Sequence, residues 1–350
     1  MKILHLIINS HGGGAEKTVQ ELHHALLERG HESKIACIDP ELFSGSRKLQ
    51  PEYVLNTKRK KRLGRIIISV IALNQILEDY APDILQVNCE APEIVAALSR
   101  WQKYAKHLVV TEHNSAPWSH ARLLGVYIRR FSSLRKSRFT ACANFKSSVY
   151  YDSTKSVVIE NMLRSTTTLP RIKLQSSFRG IFLAQRLFAV KRIGPLFRVI
   201  GKIGNTIPLI VCGDGPELNK LRKIASTLKL TVDFKLQVPN PWDHYEDGFL
   251  YVSNSSREGN PLSVAEAVVC NAPILISGIT MHKFAATKSN QLFSNSYELA
   301  QRLSKLVNGE LSLADFQPED YFRKQFLISR SSKVIVEKWE NFYASLYSNA

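Results

Sequence analysis

Several features are scarce or missing in this 350-residue chain, and each absence excludes a class of protein. No stretch of about eighteen apolar residues occurs, so no segment is suited to cross a bilayer as a helix. The five cysteines are odd in number and widely spaced, which argues against a disulfide framework or a zinc site and favours reduced thiols in a cytoplasmic protein. No clear Asp-x-Asp motif, repeat or low-complexity tract is present, so we expect a globular chain that needs no metal or other cofactor.

The chain does contain enough apolar sequence, 44% of its residues, to fill two hydrophobic cores. Apolar strand-like runs alternate with segments of helical period, which is the pattern of a parallel sheet covered on both faces. We therefore predict an α/β chain with two doubly wound, Rossmann-like domains. The first sheet is expected from strands at residues 2–9, 33–38, 83–88, 107–111, 138–142 and 157–159. The second is expected from strands at residues 179–185, 207–212, 231–236, 248–252 and 273–276.

Helices are predicted between these strands, and a polar, basic segment at residues 161–177 is expected to connect the domains. The domains are accordingly assigned to residues 1–165 and 166–330, with a C-terminal helix in residues 331–350. The other helices are predicted at residues 15–29, 64–80, 91–104, 144–151, 190–204, 216–229 and 261–270.

The most informative segment runs from Glu258 to Glu266 and sets two carboxylates eight positions apart around a predicted helix start. Asn260 is expected to be the N-cap, Pro261 the first helical residue, and Asn271 the residue that ends the helix in a left-handed conformation. One interpretation of the two carboxylates is a ligand site at the mouth of this helix. The alternative is a loop charge followed by an exposed helical glutamate.

A carboxylate pair in this spacing resembles the signature of the retaining GT-B glycosyltransferases of family 4, which is Glu, seven residues and Glu. Four further motifs of that family precede this segment, and they occur in the family's order along most of the chain. They are the Gly-Gly-Gly-Ala-Glu loop from Gly12 to Glu16, the strand-end residue His113, the Ala-Gln-Arg-Leu-Phe-Ala-Val-Lys segment from Ala184 to Lys191, and the Gly-Asp-Gly-Pro turn from Gly213 to Pro216.

This resemblance implies that two Rossmann-like domains face each other across a cleft and bind a nucleotide-sugar donor, with the final helix packing back toward the first domain. It implies that Arg186 and Lys191 bind the donor diphosphate. The unpaired backbone N–H groups of Leu262 and Ser263, together with the helix dipole, would add to that anion site.

The remaining site residues follow from the same resemblance. Glu258 is expected to accept hydrogen bonds from the donor sugar, and Glu266 from the ribose hydroxyls. His113 is expected near the carbon under attack without acting as a general base, because the family implies front-face attack assisted by the departing phosphate. A lone histidine at a strand end is otherwise most often a structural residue.

Glycines are expected to let the backbone approach the donor closely, at Gly13 and Gly14 in the first domain and at Gly213 beside the nucleotide in the second. The base itself is not specified by these motifs. The loop after Ser277, from Gly278 to Lys283, departs from the family pattern, so the resemblance assigns no donor contact there.

Positive charge is in excess, +17 at pH 7, and concentrates in the first domain. One basic run extends from Lys58 to Arg62, and the segment between Glu112 and Asp152 contains no acid. The cations of that segment are Arg122, Arg129, Arg130, Arg135, Lys136, Arg138 and Lys146, and its large apolar residues include Trp118, Leu123, Leu124, Tyr127 and Phe131. Such a mixture favours an anionic membrane surface as partner, with a solvated basic face as the alternative. No nucleic-acid-binding motif occurs, so no nucleic acid is expected as a partner.

The sequence therefore predicts a retaining glycosyltransferase that moves a sugar from a nucleotide-diphosphate donor, with a UDP-sugar favoured, to a glycolipid or polysaccharide acceptor in cell-surface glycan synthesis. The expected location is the cytoplasm or the cytoplasmic face of the membrane. Two alternatives stay open, a non-catalytic GT-B subunit that binds a membrane or glycan, and a GT-B sugar-nucleotide epimerase.

Overall fold

The computed structural model describes residues 1–9, 13–39, 51–56, 62–119, 121–145, 156–163, 169–173, 177–204, 206–236 and 238–348. The chain divides into two compact units, the first comprising Met1–Met162 with Arg330–Ala350 and the second Leu163–Ser329. All but the first two residues of the helix predicted at 144–151 lie outside the described residues, as do Gly12 and the side chains of the basic run from Lys58 to Arg62.

The first unit is built on a parallel seven-stranded sheet in the order β3-β2-β1-β4-β5-β6-β7. Its strands are β1 (Lys2–Ile7), β2 (Glu32–Cys37), β3 (Tyr53–Val54), β4 (Ile84–Asn88), β5 (His107–Glu112), β6 (Arg138–Ala141) and β7 (Ser156–Val158). Its helices are α1 (Gly14–Glu28), α2 (Arg62–Tyr80), α3 (Glu90–Leu98), α4 (Trp101–Tyr104), α5 (Arg122–Leu134) and the final helix α11 (Ser332–Ser348).

Strand residues of the first sheet are apolar on both faces because helices cover both. Leu4 and Leu6 of β1 pack into a core with α2 and α3, whereas Ile3 packs with α1 and α11 on the opposite face. The predicted return of the final helix to the first domain is confirmed by this packing, and the Tyr343 hydroxyl of α11 donates a hydrogen bond to Gln86 of β4.

The second unit is built on a parallel six-stranded sheet in the order β10-β9-β8-β11-β12-β13. Its strands are β8 (Gly180–Ala184), β9 (Leu209–Cys212), β10 (Val232–Lys235), β11 (Phe249–Ser253), β12 (Ile274–Ser277) and β13 (Leu292–Phe293). Its helices are α6 (Ile193–Ile203), α7 (Leu218–Thr227), α8 (Leu262–Val269), α9 (Ser296–Val307) and α10 (Asp320–Ser329).

The α/β class with two Rossmann-like domains is confirmed, and each predicted strand is found with its ends shifted by two residues or fewer. The helix predicted at 91–104 is instead two helices, because Ser99 adopts an extended conformation after α3. The two-residue strands β3 and β13 and the helices α5, α9 and α10 were not predicted. Short strands carry little periodic signal, and the large apolar residues of α5 face solvent instead of a core.

Candidate functional site

Two loops meet in the second unit at the point in the sheet where the order of successive strands reverses. The chain leaves β8 toward β9 on one side and leaves β11 toward β12 on the other, so the carboxyl ends of β8 and β11 flank a topological switch point. A crevice at such a point is the usual ligand site of an open parallel sheet. We call residues 185–192 and 254–261 the switch-point loops. Two hydrogen bonds join them: the backbone N–H of Ser256 donates to the Val190 carbonyl over 2.9 Å, and the side-chain amide of Asn254 donates to the Arg192 carbonyl over 3.0 Å.

Lys191 and Glu258 form an ion pair across these loops, with 2.5 Å between Lys191 Nζ and Glu258 Oε1. Their side chains are only 15% and 11% exposed, so water screens the pair weakly. The structure thus brings together two of the predicted site residues. An anion that competes for the ammonium would release the Glu258 carboxylate for another partner.

Arg186 is an exposed cation of the same loop, as is Arg192. Its guanidinium lies 5.1 Å from the centre of the Phe188 ring, a cation–π contact that orients the planar group. Within the described part of the chain, Arg186 has no carboxylate partner. It therefore remains available for a bidentate contact with phosphate oxygens.

Helix α8 begins one residue later than predicted. Pro261, with φ −71° and ψ 100°, is the N-cap and Leu262 is the first helical residue, so the assignments of Asn260 as N-cap and Pro261 as first residue are wrong by one position. The helix end is as predicted, because Asn271 has φ +65°. No side chain caps the start of α8, so the N–H groups of Leu262 and Ser263 point out of the first turn without a capping acceptor.

Glu266 lies on the buried side of α8 and is 7% exposed, so the interpretation as an exposed helical glutamate is wrong. One carboxylate oxygen, Oε2, accepts a hydrogen bond from the indole N–H of Trp242 over 3.0 Å. Trp242 is itself held by a ring stack on Tyr251, at 5.7 Å between ring centres. Sequence reasoning missed Trp242, because nothing in its own segment indicates that its indole reaches a carboxylate 24 positions away.

Gly213 is a position where only glycine fits. Its φ is +152°, and a Cβ there would lie 2.0 Å from the Gln185 carbonyl oxygen. The Gly-Asp-Gly-Pro turn packs on the loop after β8, and the Leu187 N–H donates to the Asp214 carbonyl over 2.9 Å. The motif therefore fixes the shape of the loop that carries Arg186 and Lys191.

His282 is a second residue that sequence reasoning missed. It follows β12, the neighbour of β11, and is fully buried. Burial lowers its pKa to about 4, while the nearby Glu258 carboxylate opposes and the Lys191 ammonium reinforces that shift. The charges of Lys191 and Glu258 therefore both act on the His282 ring.

The first unit has its own switch point, between β1 and β4. The predicted glycine loop lies at the carboxyl end of β1, where Gly13 is the N-cap of α1 and Gly14 its first residue. Gly13 has φ −77°, a value open to any residue, so no left-handed turn requires a glycine here. The Gly13 carbonyl accepts the Lys17 N–H over 3.0 Å, which starts the helix in the usual way.

His113 follows β5 and is a neutral imidazole. Its Nε2 lies 3.0 Å from Asn88 Oδ1, and because the Asn88 amide nitrogen donates to the Leu6 carbonyl, Oδ1 is the acceptor and Nε2 carries the proton. Burial lowers the His113 pKa to about 4. Its Nδ1 is a buried acceptor without a partner in the described part of the chain.

A buried charge cluster lies beside His113. The Arg129 guanidinium of α5 donates to Glu93 of α3 and to Glu112 of β5, each over 2.8 Å. Burial raises the pKa of Glu93 to about 7 and raises that of Glu112 as well. The cluster attaches the inner face of α5 to β5, the strand that His113 follows.

The outer face of α5 is apolar and exposed. Leu123, Tyr127 and Leu134 are 78%, 71% and 77% exposed. Arg122 and Arg130 on α5 are exposed cations. We call these five residues the α5 face.

Several members of the predicted basic and apolar segment do not belong to this face. Trp118 is buried, with 2% exposure, and Gly125 of α5 packs directly against it. Arg129 lies in the charge cluster, and Arg135 donates to the carbonyls of Ala97 and Ser99. The expectation that Trp118, Arg129 and Arg135 help to form a membrane-binding surface is wrong, because each of them is used in contacts inside the unit.

Two negative findings apply to the described residues only. No group of three or more His, Cys, Asp or Glu side chains is placed to hold a metal ion there. Nor is any helix in the described ranges both long and apolar enough to cross a membrane.

Known families match both parts of this chain. Residues 12–146 match Glycosyltransferase Family 4, and residues 170–319 match Glycosyl transferases group 1. An uncharacterized glycosyltransferase of Haemophilus influenzae is 24% identical over 349 residues, covering 94% of this chain and 95% of that protein. The poly(ribitol-phosphate) alpha-N-acetylglucosaminyltransferase of Staphylococcus aureus is 28% identical over 170 residues, which are 46% of this chain and 34% of that protein.

Solved structures share the fold over the whole chain. Anabaena Alr3699/HepE, solved in complex with UDP and glucose, has a TM-score of 0.78 at 16% identity and covers 99% of this chain and 100% of its own. The apo form of the lipopolysaccharide outer core galactosyltransferase WaaB has a TM-score of 0.70 at 16% identity, with 100% of both chains covered.

Proposed function

The chain belongs to the GT-B glycosyltransferases, and from that premise we propose that it is a retaining enzyme that transfers a sugar from a UDP-sugar to a glycolipid or polysaccharide acceptor in cell-surface glycan synthesis. The observation that carries the proposal is the Lys191–Glu258 ion pair at the switch point, next to the exposed Arg186 and the uncapped start of α8.

Each of these groups suits one part of a nucleotide-diphosphate sugar. The Lys191 ammonium, the Arg186 guanidinium and the first N–H groups of α8 are hydrogen-bond donors and positive, which suits the charge that gathers on the departing diphosphate. Glu258 is an acceptor, which suits the hydroxyls of the sugar. In this proposal the diphosphate attracts Lys191 and thereby frees Glu258 for the sugar.

Glu266 is proposed to bind the ribose. Trp242 occupies its Oε2, which leaves the other oxygen to accept from a ribose hydroxyl. His113 is proposed to contact the sugar as a neutral group, since burial lowers its pKa to about 4 and it carries no charge near neutral pH. We propose no general-base role for it, and the departing phosphate is expected to receive the acceptor's proton.

UDP as the nucleotide, and a glycan as the acceptor, are supported by analogy. Anabaena Alr3699/HepE binds UDP and glucose, and the S. aureus relative is named for transfer of N-acetylglucosamine to poly(ribitol phosphate). We also propose that the enzyme docks on anionic membranes through the α5 face. Apolar side chains between cations suit that surface, where each cation contributes on the order of 1 kcal/mol.

A ligand panel tests the donor assignment. Thermal unfolding is measured with UDP, GDP and ADP and with their hexose and N-acetylhexosamine derivatives. A ligand at one hundred times its dissociation constant should stabilise the fold by about 2.7 kcal/mol. At one common ligand concentration UDP-sugars should give the largest shift because they should bind most tightly, and a chain that responds to none of these nucleotides would contradict the proposal.

The stereochemical assignment needs a separate measurement. Slow hydrolysis of the bound UDP-sugar is followed by proton NMR, and the anomer that forms first is identified before it equilibrates. A retaining enzyme releases the sugar with the anomeric configuration of the donor. The opposite anomer as first product would reject the retaining mode while leaving the transferase intact.

A further inference from the structure

His282 has a fixed protonation pattern that can be read from its neighbours. Its Nδ1 lies 2.9 Å from the Ser277 carbonyl oxygen and 3.1 Å from Ser277 Oγ. The Ser277 hydroxyl donates its own hydrogen to the Ser255 carbonyl over 2.6 Å, so both neighbours of Nδ1 act as acceptors. Nδ1 must therefore carry the hydrogen.

The opposite nitrogen, Nε2, is then a bare acceptor. The ring is neutral at physiological pH because burial lowers its pKa to about 4. Nε2 is buried and has no hydrogen-bond partner within the described residues. A buried acceptor that lacks a partner costs roughly 1–3 kcal/mol, and such groups mark places that a ligand completes.

The surroundings of His282 indicate which ligand group fits. Glu258 is itself an acceptor and cannot satisfy Nε2, whereas Lys191 is already paired with Glu258. A hydroxyl is the neutral group that donates one hydrogen bond to Nε2 and still accepts others. Among the parts of a nucleotide-diphosphate sugar, the sugar beside Glu258 supplies hydroxyls at this position.

We propose that His282 is a further donor-sugar residue, whose Nε2 accepts a hydrogen bond from a hydroxyl of the transferred sugar next to Glu258. This inference rests on the proposed function and adds a specificity-determining residue to its site. Because Nε2 is enclosed, the sugar reaches it only after a local rearrangement. Departure of Lys191 from Glu258 toward the diphosphate provides one.

Two substitutions test the acceptor role of Nε2 separately from the donor role of Nδ1. His282→Asn keeps an N–H that can donate to Ser277 but removes the acceptor, whereas His282→Gln places an amide oxygen near the Nε2 position. We expect His282→Asn to weaken binding of the preferred UDP-sugar about five- to tenfold while UDP alone binds within about twofold of the parent. His282→Gln should recover most of the loss.

Calorimetry with UDP and with UDP-glucose, UDP-galactose and UDP-N-acetylglucosamine supplies both affinities. His5→Asn is the matched control, because His5 is also fully buried with unpartnered nitrogens in the described part of the chain but lies on β1 of the first unit. It should lower stability without changing the ratio of the two affinities. Equal weakening of UDP and UDP-sugar by His282→Asn, or no weakening, would overturn the inference.

A ligand series keeps the test decisive if a variant folds poorly. Deoxy analogues of the preferred UDP-sugar are titrated into the parent protein and into both His282 variants, one hydroxyl removed at a time. One deletion should be costly in the parent and in His282→Gln, which both present an acceptor, and should cost several-fold less in His282→Asn, which has none; that deletion identifies the coupled hydroxyl. Uniform effects across the series would reject the contact. A parent protein that binds no nucleotide sugar would instead reject the proposed function.

Discussion

The Lys191 ammonium lies 2.5 Å from a Glu258 oxygen, so a single ion pair holds two groups that the family resemblance assigns to adjacent parts of the donor, the diphosphate and the sugar. Residues 67 positions apart meet there because the carboxyl ends of β8 and β11 are neighbours at the switch point. Within the pair, Glu258 competes with the diphosphate for Lys191, and Lys191 competes with the sugar for Glu258. Binding of diphosphate and binding of sugar should therefore be thermodynamically coupled.

Glu258→Gln should lower turnover by roughly 100- to 1,000-fold, because a neutral amide accepts weaker hydrogen bonds from the sugar hydroxyls than a carboxylate does. The same change should preserve or tighten UDP binding, since Lys191 loses its competitor. Lys191→Met should weaken UDP binding about tenfold or more. Calorimetry and turnover assays measure both effects. Lys220→Met is the control, because Lys220 pairs with Glu217 on the surface of the same unit with its side chain 62% exposed.

Trp242→Phe should reduce recognition of the ribose, because it removes the N–H that orients Glu266 while keeping an aromatic ring in the core. The expected effect is about a five- to tenfold weaker affinity for UDP, with little change for 2′,3′-dideoxy-UDP. Trp101→Phe is the control, since Trp101 is equally buried and its indole N–H has no partner in the described part of the chain. Equal losses for both nucleotides would assign Trp242 a packing role only.

The strands could be predicted because they are buried on both faces and read as continuous apolar runs, as in Phe249–Ser253. The carboxylates and cations of the site could be predicted because their spacing is a family motif. Trp242 and His282 could not, since their importance depends on contacts with Glu266 and Ser277 that only the folded chain defines. Helix α5 does carry apolar residues at helical spacing, but Leu123, Tyr127 and Leu134 face solvent. The residues it buries are Gly125, Arg129 and Ser132, which no core pattern would indicate.

Gly213→Ala should destabilise the second unit by roughly 2–4 kcal/mol, because the new Cβ would meet the Gln185 carbonyl at 2.0 Å and the residue would keep a φ of +152°. Gly309→Ala separates the two causes. Gly309 has φ +76°, and a Cβ added there would have no atom within 4 Å, so only backbone strain of about 1 kcal/mol applies. Urea unfolding of both variants measures the difference, and equal losses would contradict a steric role.

Glu93 should make folding stability depend on pH. Its pKa rises on folding from an ordinary 4.5 to about 7, so the native state binds the proton more tightly than the unfolded state. The contribution of Glu93 is therefore largest below about pH 4.5 and falls by about 2–3 kcal/mol as pH rises through 7.

Glu93→Gln should remove this dependence while retaining an oxygen that can accept from Arg129. Urea unfolding at pH 5 and pH 8 measures the pH dependence of the free energy of unfolding. Glu28→Gln is the control, because Glu28 is exposed. A difference between parent and Glu93→Gln that stays constant over this range would show that Glu93 is ionised throughout.

Membrane docking should depend on the apolar members of the α5 face. Leu123→Ser combined with Tyr127→Ser removes side chains that are 78% and 71% exposed, so the fold loses little stability. Burial of such side chains in a bilayer interface contributes on the order of 1 kcal/mol each, so the pair should lower vesicle affinity roughly tenfold or more.

Sedimentation with vesicles of phosphatidylcholine and phosphatidylglycerol measures that affinity at two salt concentrations. Tyr321→Ser is the matched control, because Tyr321 is 77% exposed but belongs to α10 of the second unit and is not a member of the α5 face. The control should bind vesicles like the parent. Binding that is unchanged in the double variant yet falls with salt would assign attraction to the cations alone, and the apolar residues of α5 would then have no part in docking.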